Sequence, residues 1–452
     1  MVTSIGGLSS GIDTTSLINS LIQVESQPQT SLKSRVSDVT TANTAYQTVN
    51  TKMKSLLTAA QDLIKPDTWK AAKATSTSTD VTVTAAAGAQ TGDMTFKIDK
   101  LATAHRTTSR FVDASSPVAP SGSFDITVGT QTEPIVLDPD KNTPQGAADA
   151  INKVASKTGL PVRASVITTS DGPVLQIAST KTGGENAFAI TGLYEEPQIM
   201  NQGSDAELIV GDPDFGGFRV TNASNTFTGV MPGVTITATK APADTTVSVV
   251  SDTDAMAAKM QALVDAANGA LAQINLSSAA GTASASGAAS SGGPLAGDYT
   301  VRQLSSKILS SVSSGADKDV VGLETFGSFK KLGIELTREG KLTFNKDTFV
   351  SAYNGDPAKI QTAVTEGLAK TMEDVAKAAT DSISGSLTTK IKSNATMLTR
   401  LNKEILDWDT KLADRRTALQ RQFTAMETAL AKVSSQSSWL SSQMSSSSSS
   451  SE

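Results

Sequence analysis

Few residues in this chain have a type and spacing suited to catalysis. Gly7-Leu8-Ser9-Ser10-Gly11 matches the pattern around the nucleophilic serine of many hydrolases. That chemistry needs a buried strand before the turn and a histidine to accept the serine proton. No strand pattern precedes Gly7, and the only histidine, His105, lies in a Thr-rich β segment. We therefore predict a loop before a helix at residues 7–11, no catalytic residues and no enzymatic activity.

A second candidate site has the spacing of a calcium loop. Asp138, Asp140 and Asn142 alternate as the first ligands of such a loop do. Thr143 stands where the sharp turn needs Gly, and Asp149 stands where a bidentate Glu is expected. We predict an ordinary turn here. A single histidine likewise cannot form a histidine-based metal site, so we expect neither a metal nor a cofactor.

Composition excludes several classes of protein. The chain has 452 residues, which predicts more than one domain. Its net charge of −5 gives no basic surface for phosphates, so no nucleic-acid partner is expected. Without cysteine there is no disulfide or thiolate metal site. No apolar run is long enough to insert in a bilayer. Residues 1–10 show no cleavable secretory signal, so export would use a route that recognises an uncleaved terminus.

Both ends of the chain have the periodicity of long helices. Gln29–Lys65 contains neither Gly nor Pro, and Leu32 and Val39 begin a series of apolar residues spaced by seven. Pro28 separates this helix from a shorter one, which Asp13 is placed to cap. The apolar residues of that shorter helix include Leu17, Ile18, Leu21 and Ile22.

The C-terminal segment carries a longer heptad series. No Gly or Pro follows Gly385, and apolar residues recur every seventh position from Ile391 to Leu440. A helix over that range would be about 75 Å long, which exceeds a single domain core and requires a partner helix. Most apolar stripes are core. Here the stripe is flanked by Ser, Thr and Gln rather than by charges, so we predict packing against other chains.

We predict that assembly uses apolar residues from both terminal segments. They are Leu17, Ile18, Leu21, Ile22, Leu32, Val39, Leu398, Ile405, Leu412, Leu419, Met426, Val433, Trp439 and Leu440.

Between the helical ends, β-branched residues alternate with polar ones, which predicts strands. The predicted strands are Val81–Thr84, Met94–Ile98, Phe124–Val128, Val162–Thr169, Val174–Ala178, Val234–Thr239 and Thr245–Val250. Asp171-Gly172 predicts a tight turn between two of them. The expected fold class is α+β and multidomain. Paired N- and C-terminal long helices form a coiled-coil stem and a helical-bundle domain, with two inserted, mainly antiparallel β domains.

The predicted regions combine segments that are distant in sequence. They are terminal legs, flexible in the monomer, from 1–40 with 395–452; a helical bundle from 41–72 with 253–394; a β domain from 73–115 with 204–252; and an outer β-rich domain with a short helix from 116–203.

Several motifs resemble those of the flagellar hook-associated protein 2 family, the filament cap (FliD) family of bacterial flagella. Ser4 to Asp13, followed by the short apolar helix and Pro28, is similar to the opening of these proteins. Ala148-Asp149-Ala150-Ile151-Asn152 resembles the family's hook IN motif. The other similar segments are Pro232-Gly233-Val234-Thr235-Ile236, Leu332-Gly333-Ile334, Gly340-Lys341-Leu342 and Trp439-Leu440.

This resemblance implies a secreted, extracellular protein at the distal tip of the flagellum. It would form a homo-oligomeric ring, commonly a pentamer, that helps exported flagellin fold and insert, as filament elongation and motility require. The implied partners are flagellin, hook-filament junction proteins, the flagellar type III export apparatus and a cytoplasmic export chaperone.

Composition and periodicity alone leave other functions open. A flagellin-like subunit or a hook-filament junction subunit would also bury terminal helices. A tip adhesin that binds host mucin through Thr-rich β domains is a further alternative.

Overall fold

The computed structural model describes residue 11 and residues 13–281, 292–317 and 319–448, with side chains through residue 444. Residues 7–10 of the serine pattern therefore lie outside the described residues. The chain divides into two compact units, a helical unit of Met1–Ile64 with Ala258–Glu452 and a β unit of Lys65–Ala257. None of the helices in the described ranges is both long and apolar enough to cross a membrane.

The helices are numbered in chain order, and only α3 lies wholly in the β unit. They are α1 (Thr14–Glu25), α2 (Gln27–Ile64), α3 (Pro144–Thr158), α4 (Thr253–Ser278), α5 (Tyr299–Ser313), α6 (Lys346–Gly355), α7 (Pro357–Thr362), α8 (Ala369–Thr380) and α9 (Ser386–Ser448). A π-helical segment, Ala363–Leu368, joins α7 to α8.

The two predicted N-terminal helices are confirmed, with the break between them at Ser26, two residues before Pro28. Asp13 Oδ1 accepts a hydrogen bond from Ser16 N at 2.9 Å and caps α1. The helix ends before Ser26, and Pro28 is the second residue of α2, where its missing N–H removes no helical hydrogen bond. The C-terminal series forms one helix, α9, of 63 residues. At 1.5 Å per residue it is about 95 Å long.

The core of the helical unit continues the apolar spacing of α2. Val49, Met53, Leu56, Ala60 and Leu63 are fully buried at intervals of three and four residues. This broad face packs against α8 and the π-helical segment. The unit also holds a hairpin formed by strands β16 (Ile334–Leu336) and β17 (Leu342–Phe344).

The strands of the β unit include every strand that the sequence predicts. They are β1 (Ala72–Ser76), β2 (Val81–Ala85), β3 (Gly92–Lys100), β4 (Ala104–Arg110), β5 (Ser123–Val128), β6 (Gln131–Val136), β7 (Val162–Thr169), β8 (Gly172–Thr182), β9 (Phe188–Thr191), β10 (Gln198–Asn201), β11 (Ala206–Val210), β12 (Phe218–Asn222), β13 (Thr226–Thr228), β14 (Val234–Ala238) and β15 (Ala243–Ser251).

These strands surround two separate hydrophobic cores. The residues of one core come mainly from a five-stranded sheet, β1-β15-β3-β11-β12, and a three-stranded sheet, β13-β14-β2. The residues of the other core come mainly from the sheets β10-β4-β8-β7 and β6-β5-β9 and from helix α3. The strand pairs are antiparallel. The predicted α+β fold class, with helical ends and inserted antiparallel β structure, is confirmed.

The β7–β8 hairpin forms with its turn one residue earlier than predicted. Thr169 pairs with Gly172, so Ser170 and Asp171 are the turn residues. Gly172 has φ +114° and begins β8 instead of occupying the turn. A Cβ at Gly172 would lie 2.1 Å from the carbonyl oxygen of Phe111. The glycine is therefore required both by its backbone conformation and by this close approach.

The aspartate-rich segment is an ordinary turn. Asn142 Oδ1 accepts hydrogen bonds from Val118 N at 2.9 Å and Ala119 N at 3.0 Å, and its Nδ2 donates to Ala119 O at 2.7 Å. Thr143 caps α3 by accepting from Gly146 N at 3.2 Å. These atoms are already used in holding the backbone. Within the described ranges no group of three His, Asp or Glu residues is arranged to hold a metal ion.

Candidate assembly surface

The two ends of the chain pair as antiparallel helices within the helical unit. Gln29 of α2 contacts Ile405 and Asp409 of α9, whereas Gln61, at the other end of α2, donates to Glu373 of α8 at 3.3 Å. Residue numbers rise along α2 as they fall along its partner. The helices α8 and α9 therefore run in succession along α2, and the paired part of α2 and α9 is here called the stem.

A buried polar residue fixes the register of this pairing. Gln29 is only 6% exposed, and its Nε2 donates to Asp409 Oδ1 at 2.5 Å. Its Oε1 accepts from Lys33 Nζ at 3.2 Å. A buried polar side chain in a coiled-coil seam favours the one register that supplies its partners. Gln29 is polar, so the spacing of apolar residues does not identify it.

Gln29 belongs to a series of residues on α2 that are spaced by seven, and this spacing could have identified it from the sequence. Gln29, Val36, Asn43 and Asn50 follow one another at that interval on α2. The Oδ1 atoms of Asn43 and Asn50 are buried without a hydrogen-bond partner in the described part of the chain. Leaving such atoms unpaired is unfavourable, so these positions lower stability while they restrict the packing of α2.

A hydrogen-bonded cluster ties α2 to α5 and α9. Tyr46 OH donates to Asp298 Oδ2 at 2.6 Å, and Lys390 Nζ lies 3.6 Å from the same oxygen. Asp298 Oδ1 caps α5 by accepting from Val301 N at 3.1 Å. Burial opposes ionisation, but the hydrogen bonds from Tyr46 and Val301 outweigh it and lower the pKa of Asp298. Burial, followed by the Asp298 contact, raises the pKa of Tyr46 well above its usual range.

We expect Tyr46→Phe to destabilise the helical unit. A hydrogen bond to a charged group contributes about 1.5–3 kcal/mol. Because the folded-state pKa of Asp298 is lowered, the stability linked to its ionisation is fully present above the unfolded pKa of about 3.9 and is lost as the pH falls from there through the lower folded-state pKa. Urea unfolding of the two proteins should therefore differ fully at pH 7, and the difference should shrink progressively as the pH falls below about 4.

Tyr299→Phe is the matched control for this variant, because Tyr299 is the first residue of α5 and its side chain is exposed. A difference between wild type and Tyr46→Phe that stays constant from pH 7 to pH 2.5 would contradict the assigned role of Asp298.

The short helix α1 packs on a more distal part of α9. Glu25 Oε1 lies 2.9 Å from Arg415 Nε. Arg415 follows Leu401 and Trp408 at intervals of seven, and after it the next apolar residue of this second series, Phe423, comes one residue later than the spacing requires. The apolar stripe therefore drifts around the helix at this point. Arg415 contacts Glu25, which directly precedes the break between α1 and α2 at Ser26.

Beyond this region the side chains of α9 are open to solvent. Every residue from 428 to 444, here called the α9 overhang, is exposed. Leu430, Val433 and Leu440 keep the spacing of a helical stripe, and Trp439 flanks it. A stripe of this kind is characteristic of a helix whose partner is another molecule.

The predicted assembly residues divide into three groups by exposure. Ile18 and Leu419 are buried; Ile22, Leu32, Val39, Leu398, Ile405, Leu412 and Met426 are half-buried; and Leu17, Leu21, Val433, Trp439 and Leu440 are exposed. The stem thus brings the first two groups together within one chain. The exposed group forms two open surfaces, one on α1 and one on the overhang. Their role in assembly stays a prediction.

Comparison with known proteins agrees with this architecture. Sequence models of the N-terminus and the C-terminus of flagellar hook-associated protein 2 match residues 10–105 and 203–435. The chain belongs to the flagellar hook-associated protein 2 family. The interval between the matches, residues 106–202, contains strands β5 to β10 and helix α3, which surround the second core of the β unit.

Relatives in this family align along most of the chain. Flagellar hook-associated protein 2 of Escherichia coli K12 is 25% identical over 97% of both chains. Lateral flagellar hook-associated protein 2 of Vibrio parahaemolyticus is 25% identical over 78% of this chain and 81% of its own length. A crystal structure of the D1-D2-D3 domains of the flagellar cap protein FliD from Escherichia coli superposes with a TM-score of 0.58. The match covers 78% of this chain and 99% of that one at 21% identity, so the two share a fold.

Proposed function

We propose that this protein caps the distal tip of a bacterial flagellar filament and promotes insertion of exported flagellin. Membership of the flagellar hook-associated protein 2 family carries the proposal. The related structure is that of a flagellar cap protein, and its fold extends over most of this chain. We expect a structural rather than an enzymatic role, because the exposed apolar surfaces of the terminal helices are suited to assembly.

The distribution of apolar residues supports a division of labour between the units. The overhang of α9 and the outer face of α1 supply surfaces for other chains, while the β unit has cores of its own. A homo-oligomeric ring, commonly a pentamer in this family, would use the helical unit to enter the filament. Flagellin and hook-filament junction proteins are the expected neighbours there. Delivery would require the type III export apparatus and a cytoplasmic chaperone that covers the overhang.

The alternatives left open by composition are disfavoured. The family models match both ends of the chain as hook-associated protein 2, not as a filament or junction subunit. An adhesin role has no supporting observation in the described residues.

The oligomeric state tests the proposal. Light scattering over a range of concentrations, followed by electron microscopy of the same fractions, should give discrete rings of a few subunits. Continuous fibres would favour a filament subunit, and a monomer at every concentration would contradict capping. The purified protein should also restore filament growth to cells that lack their own cap protein.

A further inference from the structure

A cleft of about 500 Å³ in the β unit has the features of a ligand site. It is bounded by His105 and Thr107 of β4, Phe188 and Ile190 of β9, and Ile199 of β10, and is here called the β4 cleft. Its volume falls within the range of roughly 300–1,000 Å³ that is usual for ligand pockets. Its lining among the described residues comes from the β unit, so the cleft is distinct from the proposed assembly surface.

The cleft contains a buried hydroxyl without a partner. Thr107 is 4% exposed, and its Oγ1 makes no hydrogen bond to any residue in the described part of the chain. Burying a hydroxyl in this way is unfavourable unless something pairs with it. Valine has nearly the same shape and would avoid the penalty. The hydroxyl therefore points to a group that enters the cleft from outside.

His105 supplies a second polar atom with a defined role. It is 2% exposed, and its Nδ1 accepts a hydrogen bond from Gly203 N at 3.3 Å. The proton of the neutral ring is therefore on Nε2, which becomes a donor. Burial lowers the pKa of His105, so the ring is uncharged at neutral pH. The ring is also held edge-on against Phe188, with centroids 4.7 Å apart.

The surroundings select the charge of the ligand. None of the described residues that line the cleft is Lys or Arg, and one of them is Glu196. An anionic group would thus meet a carboxylate and no compensating cation. A neutral group that has both a hydrogen-bond acceptor and a donor fits better, and an amide is the commonest such group in proteins.

Spacing and topology favour an amide on an extended chain. His105 and Thr107 are two residues apart on one face of β4, so their side chains emerge roughly 6.5 Å apart, a gap that one amide can bridge. The cleft also borders β9 and β10, each of which pairs with a strand on one side only among the described residues. Free strand edges offer N–H and C=O groups to an extended peptide.

We propose that the β4 cleft binds an extended polypeptide segment through one amide group. The amide oxygen accepts from His105 Nε2–H, and the amide N–H donates to Thr107 Oγ1. The amide comes either from an Asn or Gln side chain or from the peptide backbone itself.

The single histidine makes this proposal directly testable. Full-length protein labelled with ¹⁵N-histidine gives one imidazole signal, which can be followed by NMR at a concentration where light scattering shows monomer. The probes are three capped tripeptides, acetyl-Thr-Gln-Thr-amide, acetyl-Thr-Leu-Thr-amide and acetyl-Thr-Glu-Thr-amide. We expect a saturable shift of Nε2 with the Gln peptide and at least tenfold weaker binding of the Glu peptide.

The Leu peptide distinguishes the two sources of the amide. Equal binding of the Leu and Gln peptides would assign the bound amide to the backbone, and weaker binding of the Leu peptide would assign it to the side chain. Absence of a shift with every peptide at millimolar concentration would overturn the proposal.

A pair of variants tests the hydroxyl. Thr107→Val should raise the thermal midpoint of the β unit and reduce affinity for the Gln peptide at least tenfold. Thr108→Val is the matched control, because Thr108 is the next residue of β4 and belongs to the opposite face. Unchanged binding by Thr107→Val, or a lowered midpoint, would contradict the assigned role of Thr107.

Discussion

Replacing the apolar residues of the α9 overhang with serine should abolish assembly without destabilising the monomer. Val433, Trp439 and Leu440 are each more than half exposed, so their removal costs the isolated chain little. Burial of the same side chains against another molecule would contribute about 1–2 kcal/mol each. Losing all three should weaken association by about 10²–10⁴-fold. The triple variant should therefore remain monomeric by light scattering and fail to restore filament growth.

A matched control removes equally exposed residues from elsewhere in the helical unit. Leu276, Ile383 and Leu406 are all strongly exposed and lie outside the overhang. Their triple serine variant should assemble as wild type does. If both triple variants lost assembly equally, the effect would reflect general surface hydrophobicity, and the overhang would have no special role. Normal rings from the overhang variant would contradict the assignment directly.

The sequence was sufficient to predict elements whose packing follows a local period. Seven-residue spacing predicted α2 and α9, and alternation predicted seven of the fifteen strands in the described β unit, namely β2, β3, β5, β7, β8, β14 and β15. Asp13 and Pro28 fixed the start of α1 and its separation from α2, because capping and the missing proline N–H act within one helical turn. These features depend on residues that are close together in the chain, so they can be recognised in a single sequence.

Features that depend on distant partners were not predictable. The order β1-β15-β3 places Ala72–Ser76 beside Ala243–Ser251, and no local pattern specifies that choice. The bond between Gln29 and Asp409 joins residues 380 positions apart. The β4 cleft depends in the same way on strands brought together by the fold, so Thr107 looked like an ordinary strand threonine. The single histidine was predicted to be a surface or strand residue; it is a strand residue but a buried one, and its role emerged only from its contacts.

Replacing Leu17, Leu21 and Leu412 with glutamine should open the stem and abolish assembly while the β unit stays folded. Leu17 and Leu21 are 41% and 40% exposed, and Leu412 is half-buried. Leucine and glutamine have similar helix propensities, so the change acts on packing and not on helix formation. The lost burial amounts to roughly 3–5 kcal/mol. Limited proteolysis should cut the terminal helices of the variant monomer faster than those of wild type.

The β unit should not respond, because its two cores contain only residues from 72 to 249. Its far-ultraviolet circular dichroism signal, measured after proteolytic removal of the terminal helices, should match that of wild type. The control variant replaces Val112, Val136 and Ile167, three exposed residues of the β unit, with threonine and should assemble normally. Loss of β structure in the leucine variant would mean that the units fold as one. The division between an assembling helical unit and an independent β unit would then have to be abandoned.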